Sequence, residues 1–169
     1  MAADVVVLRH REVGGSFEEF FDREYVRLGK ALFLLTASSS EAEDLAQESM
    51  ARIFERWDRV GRMESPSAYA YRVALNVHKR RSRGLWRRAD IASLPFELRS
   101  KEKADTTAQV LDALQRLTVE QRQAVVLVEW MGFSPEECGR ILRIKAESVR
   151  VRLHRARVAL RDGSEADDE

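Results

Sequence analysis

The stretch that most constrains this chain is Ser134–Leu160, SPEECGRILRIKAESVRVRLHRARVAL. Ser134, Pro135 and Glu137 supply an N-cap, a proline at the first helical position and a glutamate at N3, three signals for one helix start. Cys138, Ile141 and Leu142 then share an inward face. A turn near Arg143–Ala146 leads into a longer helix rich in arginine. With Arg150 at 0° and about 100° per residue, Val149, Leu153, Ala156 and Leu160 gather between about 240° and 300° as a core stripe. Arg150, Val151, His154, Arg155 and Val158 fall between about 0° and 140°, on the outward side. Arg157 and Arg161 lie on one shoulder and Arg152 on the other. A short helix, a tight turn and a longer basic helix make the layout of a helix-turn-helix.

Helical periodicity runs through the rest of the chain without strand alternation or a long repeat. SFEEFFDREYVRLGKALFLLTA reads as one or two buried helices. Ser40 with Glu43 fits a capping box for a helix reaching about Trp57. Its apolar positions are Leu45, Ala46, Met50, Ile53, Phe54 and Trp57, which turns Asp44, Gln47, Glu48, Arg52 and Glu55 towards another face. Ser65 before Pro66 starts a helix over about 66–83, with Tyr71 assigned to the core. Periodicity fades from Leu85 to Thr107. Thr118 with Gln121 caps a helix that Gly132 ends. The expected fold class is all-α, with two small helical domains joined by a flexible linker. The boundaries are a disordered tail over 1–15, a domain over 16–84, a linker over 85–107, a domain over 108–161 and an acidic tail over 162–169.

Charge is segregated along the chain, although the formal net charge is only +1. Gly139–Arg161 holds eight Lys or Arg against one acid, and Asn76–Asp90 holds six against one. Glu41–Asp58 holds six acids against two arginines, and Asp162–Glu169 holds five acids and no base. Two separate basic patches suit a polyanion gripped twice. A solvated helix face seldom exposes valine beside arginine. A face in the major groove uses both, arginine for guanine edges and a small apolar group for a thymine methyl.

Other function classes find no support. The eight glycines are scattered and form no phosphate-cradling loop. His10, His78, His154 and Cys138 lack metal-ligand spacing, so no cofactor and no catalytic residue is expected. A single cysteine points to a reducing compartment. No apolar run approaches the roughly 20 residues of a membrane span. A cytoplasmic protein without membrane insertion is expected.

EAEDLAQESMARIFERW, AYAYRVALNVHKRRSR and LQRLTVEQRQAVVLVEWMGFSPEECGRILRIKAESVRVRLHRARVAL stand in this order. The chain so resembles the sigma-70 family of bacterial RNA polymerase sigma factors, in the small extracytoplasmic-function group that keeps only regions 2 and 4. The resemblance spans about 16–83 and 108–160. It implies a region 2 domain and a region 4 helix-turn-helix domain. It implies docking on core polymerase, at the β′ clamp helices through Asp44, Gln47 and Glu48, and at the β flap. It implies promoter DNA as a partner. The −10 element would be captured as a single strand by Arg72, Asn76, Lys79, Arg80 and Arg81, with the 61–67 loop taking an extruded base. The −35 element would be read as duplex by Arg150, Val151, Arg152, His154, Arg155 and Arg157. A cognate anti-sigma factor is a further implied partner.

Some positions depart from the family. Arg143 and Glu147 stand where glycine is common, Val151 where a small polar residue is usual, Tyr69 for tryptophan and Leu75 for arginine. The competing reading is a free-standing helix-turn-helix regulator. It needs paired half-sites and a dimer, and no dimer heptads are evident. The two promoter elements lie roughly 50 Å apart at about 34 Å per helical turn, a span the linker can cover.

Overall fold

The computed structural model describes residues 15–81 and 101–165. Among them every regular element is a helix. The helices are α1 (Phe17–Thr36), α2 (Ser39–Phe54), α3 (Trp57–Val60), α4 (Pro66–Arg81), α5 (Lys101–Gln115), α6 (Val119–Val125), α7 (Pro135–Leu142) and α8 (Ala146–Glu165), with a π-helical turn over Val126–Trp130 between α6 and α7. Residues 1–14 of the disordered tail expected over 1–15 lie outside the described residues. Of the linker expected over 85–107, residues 101–107 lie in α5 and the rest lie outside the described residues. The acidic tail is helical at its start, because α8 continues to Glu165.

The first unit packs α1, α2 and α4 around one core. Ser16 and Glu19 close a reciprocal capping box on α1, each accepting the other's backbone N–H at 3.2 Å. Leu28, Ala31, Leu32 and Leu35 of α1 are buried with Leu45, Ala46, Met50 and Ile53 of α2 and Ala70, Ala74 and Val77 of α4. The α2 cap differs from the Ser40–Glu43 expectation. Ala37 takes a left-handed conformation, and extended Ser38 accepts the Glu41 N–H instead. The helix therefore begins two residues sooner. Phe54 is a second correction: it is 60% exposed rather than buried. Ser65 accepts the Ala68 N–H at 3.2 Å and starts α4 as expected.

The second unit is built on α5, α6, the π turn, α7 and α8. Arg122 is buried and donates to the Leu114 and Leu117 carbonyls at 2.8 and 3.0 Å. It thus adds a donor to carbonyls at and just beyond the end of α5, where Leu114 O also accepts from Leu117 N. Thr118–Gln121 and Ser134–Glu137 both form the reciprocal boxes that their spacing predicts. The π turn ends with Phe133 N donating to Leu127 O and with Gly132 at φ +76°, a conformation suited to glycine. Val149, Leu153 and Ala156 anchor α8, whereas Leu160 is only half buried.

The two units touch. Helix α4 packs on α7, and α1 packs on the π turn. Tyr71 is 2% exposed. Its ring meets Phe133 edge-on at 5.0 Å, and its hydroxyl lies 3.1 Å from the Met131 sulfur. His78 of α4 lies 3.5 Å from Glu41 of α2. Desolvation lowers its pKa, Glu41 raises it and Arg122 lowers it, with a net shift below its ordinary 6.5.

The α7–α8 turn gives two stability changes of opposite sign. A Cβ on Gly139 would lie 2.7 Å from the Ile144 carbonyl oxygen, so Gly139→Ala should cost about 1–3 kcal/mol by forcing backbone to move. Arg143 sits at φ 59°. A side chain there costs roughly 1–2 kcal/mol and glycine loses part of that gain to chain entropy. Arg143→Gly should therefore stabilise by about 0.5 kcal/mol. Denaturant melts of the two variants check both signs. His78 predicts a pH dependence. The unfolded chain takes up the proton as pH falls through about 6.5, while the folded site resists it. Stability should fall below that pH, and His78→Gln should flatten that part of the stability–pH curve.

Candidate nucleic-acid interface

The outward face of α8 stands as its phase requires. Arg150, His154 and Arg155 are exposed, and Val151 is 41% exposed between them. Val158, which the phase sets on the same side, is half covered. The charges on this face are already oriented. Arg150 donates to Glu136 at the start of α7 and lies 3.7 Å from Glu147 one turn back. Glu136's carboxyl is held below its ordinary range, first by its own backbone N–H and then by Arg150. Arg157 donates to Glu129 of the π turn at 2.7 Å, so it braces α8 against that turn. Arg152 is half buried on the Cys138 side. Burial pushes the Cys138 thiol up to about 12, which makes it an inert core group.

The second basic face lies on α4. Arg72, Asn76, Lys79 and Arg80 follow one another at helical spacing. Asn76 and the last two are exposed, and Arg72 is half buried with its guanidinium 5.0 Å from the Tyr69 ring centre. Tyr69 is thus occupied by a cation. Beside this face is a cleft of about 190 Å³ lined by Met63, Glu64, Ser65, Ala68, Tyr69 and Arg72, with Arg140 and Ile141 from α7. It lies at the 61–67 loop where a base pocket is expected.

Asp44 and Gln47 are exposed on α2, and Glu48 is half buried. Gln47 donates to Glu43 at 3.3 Å, and Arg52 donates to Glu48 at 2.6 Å. Glu48 also accepts from Arg81 at the end of α4. A residue expected at the polymerase contact and one expected at the DNA contact are therefore bonded to each other.

Sequence reasoning missed the surface value of Phe54. It lies seven residues, about two turns, after Gln47 and so on the same face, a signal that outweighs its apolar character. Its ring adjoins Phe17 at 4.9 Å. Phe17, Phe21 and Tyr25 continue as an aromatic ridge along α1, with the last pair stacked at 4.7 Å. All three are partly exposed. The acidic stripe thus ends on a large apolar surface, the composition expected of an interface centre beside a polar rim. No helix among the described residues is long and apolar enough to cross a membrane.

Residues 20–88 match the family described as Sigma-70 region 2, and residues 107–160 match Sigma-70, region 4. The chain is 31% identical over 159 residues to the RNA polymerase sigma-E factor of Streptomyces avermitilis, covering 90% of this chain and 87% of that one. It is 30% identical over 151 residues to the ECF RNA polymerase sigma factor SigM of Mycobacterium tuberculosis, covering 86% and 75%. Its fold is that of the sigma factor RpoE solved with the anti-sigma factor NepR from Bartonella quintana, at TM-score 0.70, 23% identity and 89% and 98% coverage. CnrH, solved with the cytosolic domain of CnrY, superposes at TM-score 0.68, 22% identity and 89% and 88% coverage. With both domains matched in order and relatives aligned over most of their length, the chain belongs to the sigma-70 family of RNA polymerase sigma factors, in the extracytoplasmic-function group.

Proposed function

We propose that this sigma factor docks on core RNA polymerase through the α2 stripe Asp44, Gln47 and Glu48, which Phe54 extends, and reads promoters with two separate faces. Arg72, Asn76, Lys79, Arg80 and Arg81 of α4 take the −10 element as a single strand. Arg150, Val151, Arg152, His154, Arg155 and Arg157 serve the −35 duplex. The observation that carries this reading is the exposure of the Arg150–Val151–His154–Arg155 face on a helix anchored by Val149, Leu153 and Ala156. A guanidinium and a small apolar side chain side by side match what a major groove presents. The chain performs no chemistry of its own; it positions promoter DNA for the polymerase, which places it with the polymerase in the cytoplasm. A free-standing regulator is not favoured, because it leaves the region 2 match without a role.

An anti-sigma partner is part of the proposal. RpoE was solved with the anti-sigma factor NepR, and both basic faces here offer an acidic protein the charge that DNA would otherwise meet.

Purified chain added to sigma-free core polymerase should start transcription at defined promoters; failure to bind core at all would refute the reading. Within that assay Phe54→Ala should weaken core binding about 5- to 30-fold, as truncation of an interface aromatic does. Its thermal stability should change little, because the ring is already exposed. Arg155→Ala should cost about 1–3 kcal/mol of −35 duplex binding and relax the preference at one base pair if it contacts a base edge. If it contacts a phosphate, the loss should be uniform across sequences, with a salt slope shallower by about one. A titration series in salt separates the two.

A further inference from the structure

We propose that Glu24 is a positioning residue for capture of the extruded −10 base, setting the rotation of α4 and the end of the 61–67 loop from inside the core. The inference rests on the −10 reading above. Glu24 belongs to α1 and is fully buried. Its Oε1 accepts from Ser67 Oγ at 2.8 Å and from Arg23 Nε at 3.4 Å, with an Arg27 nitrogen at 3.7 Å. Its Oε2 is buried and has no hydrogen-bond partner among the described residues. Its charge also acts on the Tyr71 hydroxyl one turn further along α4, which burial first and Glu24 second hold above its ordinary pKa. A buried carboxylate with one oxygen unpaired stabilises a core less than apolar side chains of the same volume. What it supplies instead is direction: a hydrogen bond selects one arrangement where apolar packing alone allows several.

Helix α4 needs that direction. With Ser67 at 0° and about 100° per residue, Ala70, Tyr71, Ala74 and Val77 fall between about 280° and 40°, and all four are buried. Arg72, Asn76 and Lys79, proposed to meet DNA, fall at about 140°, 180° and 120°, with Ala68 and Tyr69 at about 100° and 200°. The side that meets the core and the side that meets the base are thus opposite faces of one helix. Ala70 and Ala74 make shallow ridges on the packed side, which resist rotation weakly. A rotation of about 20° moves an outer side chain by about 2 Å, at a radius of about 5–6 Å. A misplacement of about 1 Å at a reacting site can cost on the order of 100-fold. Ser67 also ends the loop. Ser65 accepts the Ala68 N–H and Pro66 is buried, so the bond to Glu24 fastens the end of the loop to α1. Met63, Glu64 and Ser65 of that loop line the cleft with Ala68, Tyr69 and Arg72. A single bond therefore positions both walls.

The test uses the full chain in holoenzyme with core polymerase, on a promoter recovered by mapping transcript starts and on derivatives with each −10 base pair replaced in turn. The wild-type chain should lose about 10-fold or more in initiation at one or more of these positions. Ser67→Ala and Glu24→Ala should reduce that discrimination to about 3-fold or less, while binding to core and to −35 duplex stays within about 2-fold of wild type. Glu24→Gln keeps an acceptor for Ser67 and should retain most of the discrimination. Circular dichroism confirms that each variant folds, and Ser67→Ala, which removes only the hydroxyl oxygen, carries the test if Glu24→Ala does not. A loss of stability alone would lower initiation equally on every derivative and leave the ratio between bases unchanged. Unchanged discrimination in Ser67→Ala therefore overturns the positioning role, and so does a parallel loss of core and −35 binding. A wild-type chain that initiates without preference at any −10 position overturns the −10 reading itself, and the positioning role with it.

Discussion

Tyr71 stands where the two halves of this sigma factor meet, and the arrangement of its functional faces depends on that contact. Its ring is buried against the second unit, while its helix carries the charges of the first unit outward from Arg72 to Arg81. One helix thus serves two demands, a packed side towards α7 and a charged side towards solvent, the side proposed to meet DNA. An edge-on aromatic pair contributes about 0.5–1.5 kcal/mol beyond area burial.

The ion pairs explain how dense charge is tolerated without partners bound. Arg150 rests on Glu136, Arg157 on Glu129, and Arg81 on Glu48. The first two are exposed pairs and the third is partly exposed, so they contribute little to stability. Their effect is on geometry: each holds a long cation near the surface where a polyanion would meet it. Binding DNA then exchanges a carboxylate for a phosphate or a base edge instead of ordering a free side chain from scratch. The Glu48–Arg81 pair adds a link between faces, because a partner that takes Glu48 releases Arg81.

Local signals were the legible part of this fold. Ser134–Glu137 and Thr118–Gln121 gave their helix starts, because a cap needs only residues three apart. The phase of α8 placed Val149, Leu153 and Ala156 inside and Arg150, Val151 and Arg155 outside, because the helical period is fixed. What failed was decided elsewhere. The cap at Ser38 rather than Ser40 follows from Ala37's left-handed backbone, which composition does not announce. Phe54 looked like core and is exposed, because its phase sets it beside Gln47 at the edge of the stripe, where its ring meets only the rim of α1 at Phe17. Arg143 adopts the left-handed turn without the usual glycine, since the Ile144 N–H bond to the Gly139 carbonyl holds that turn. Tyr71 was legible as buried but its partners were not. Met131 and Phe133 lie about sixty residues away, and no periodicity links them.

The most direct measurement is one distance. Spin labels on cysteines at Asp58 and Asp162, exposed positions on opposite units, report their separation in the free chain and in the complex with core polymerase and promoter. A single distance is expected in the free chain and a longer one in the complex, where the two units must reach promoter elements roughly 50 Å apart. An unchanged distance in a complex that initiates transcription would contradict it.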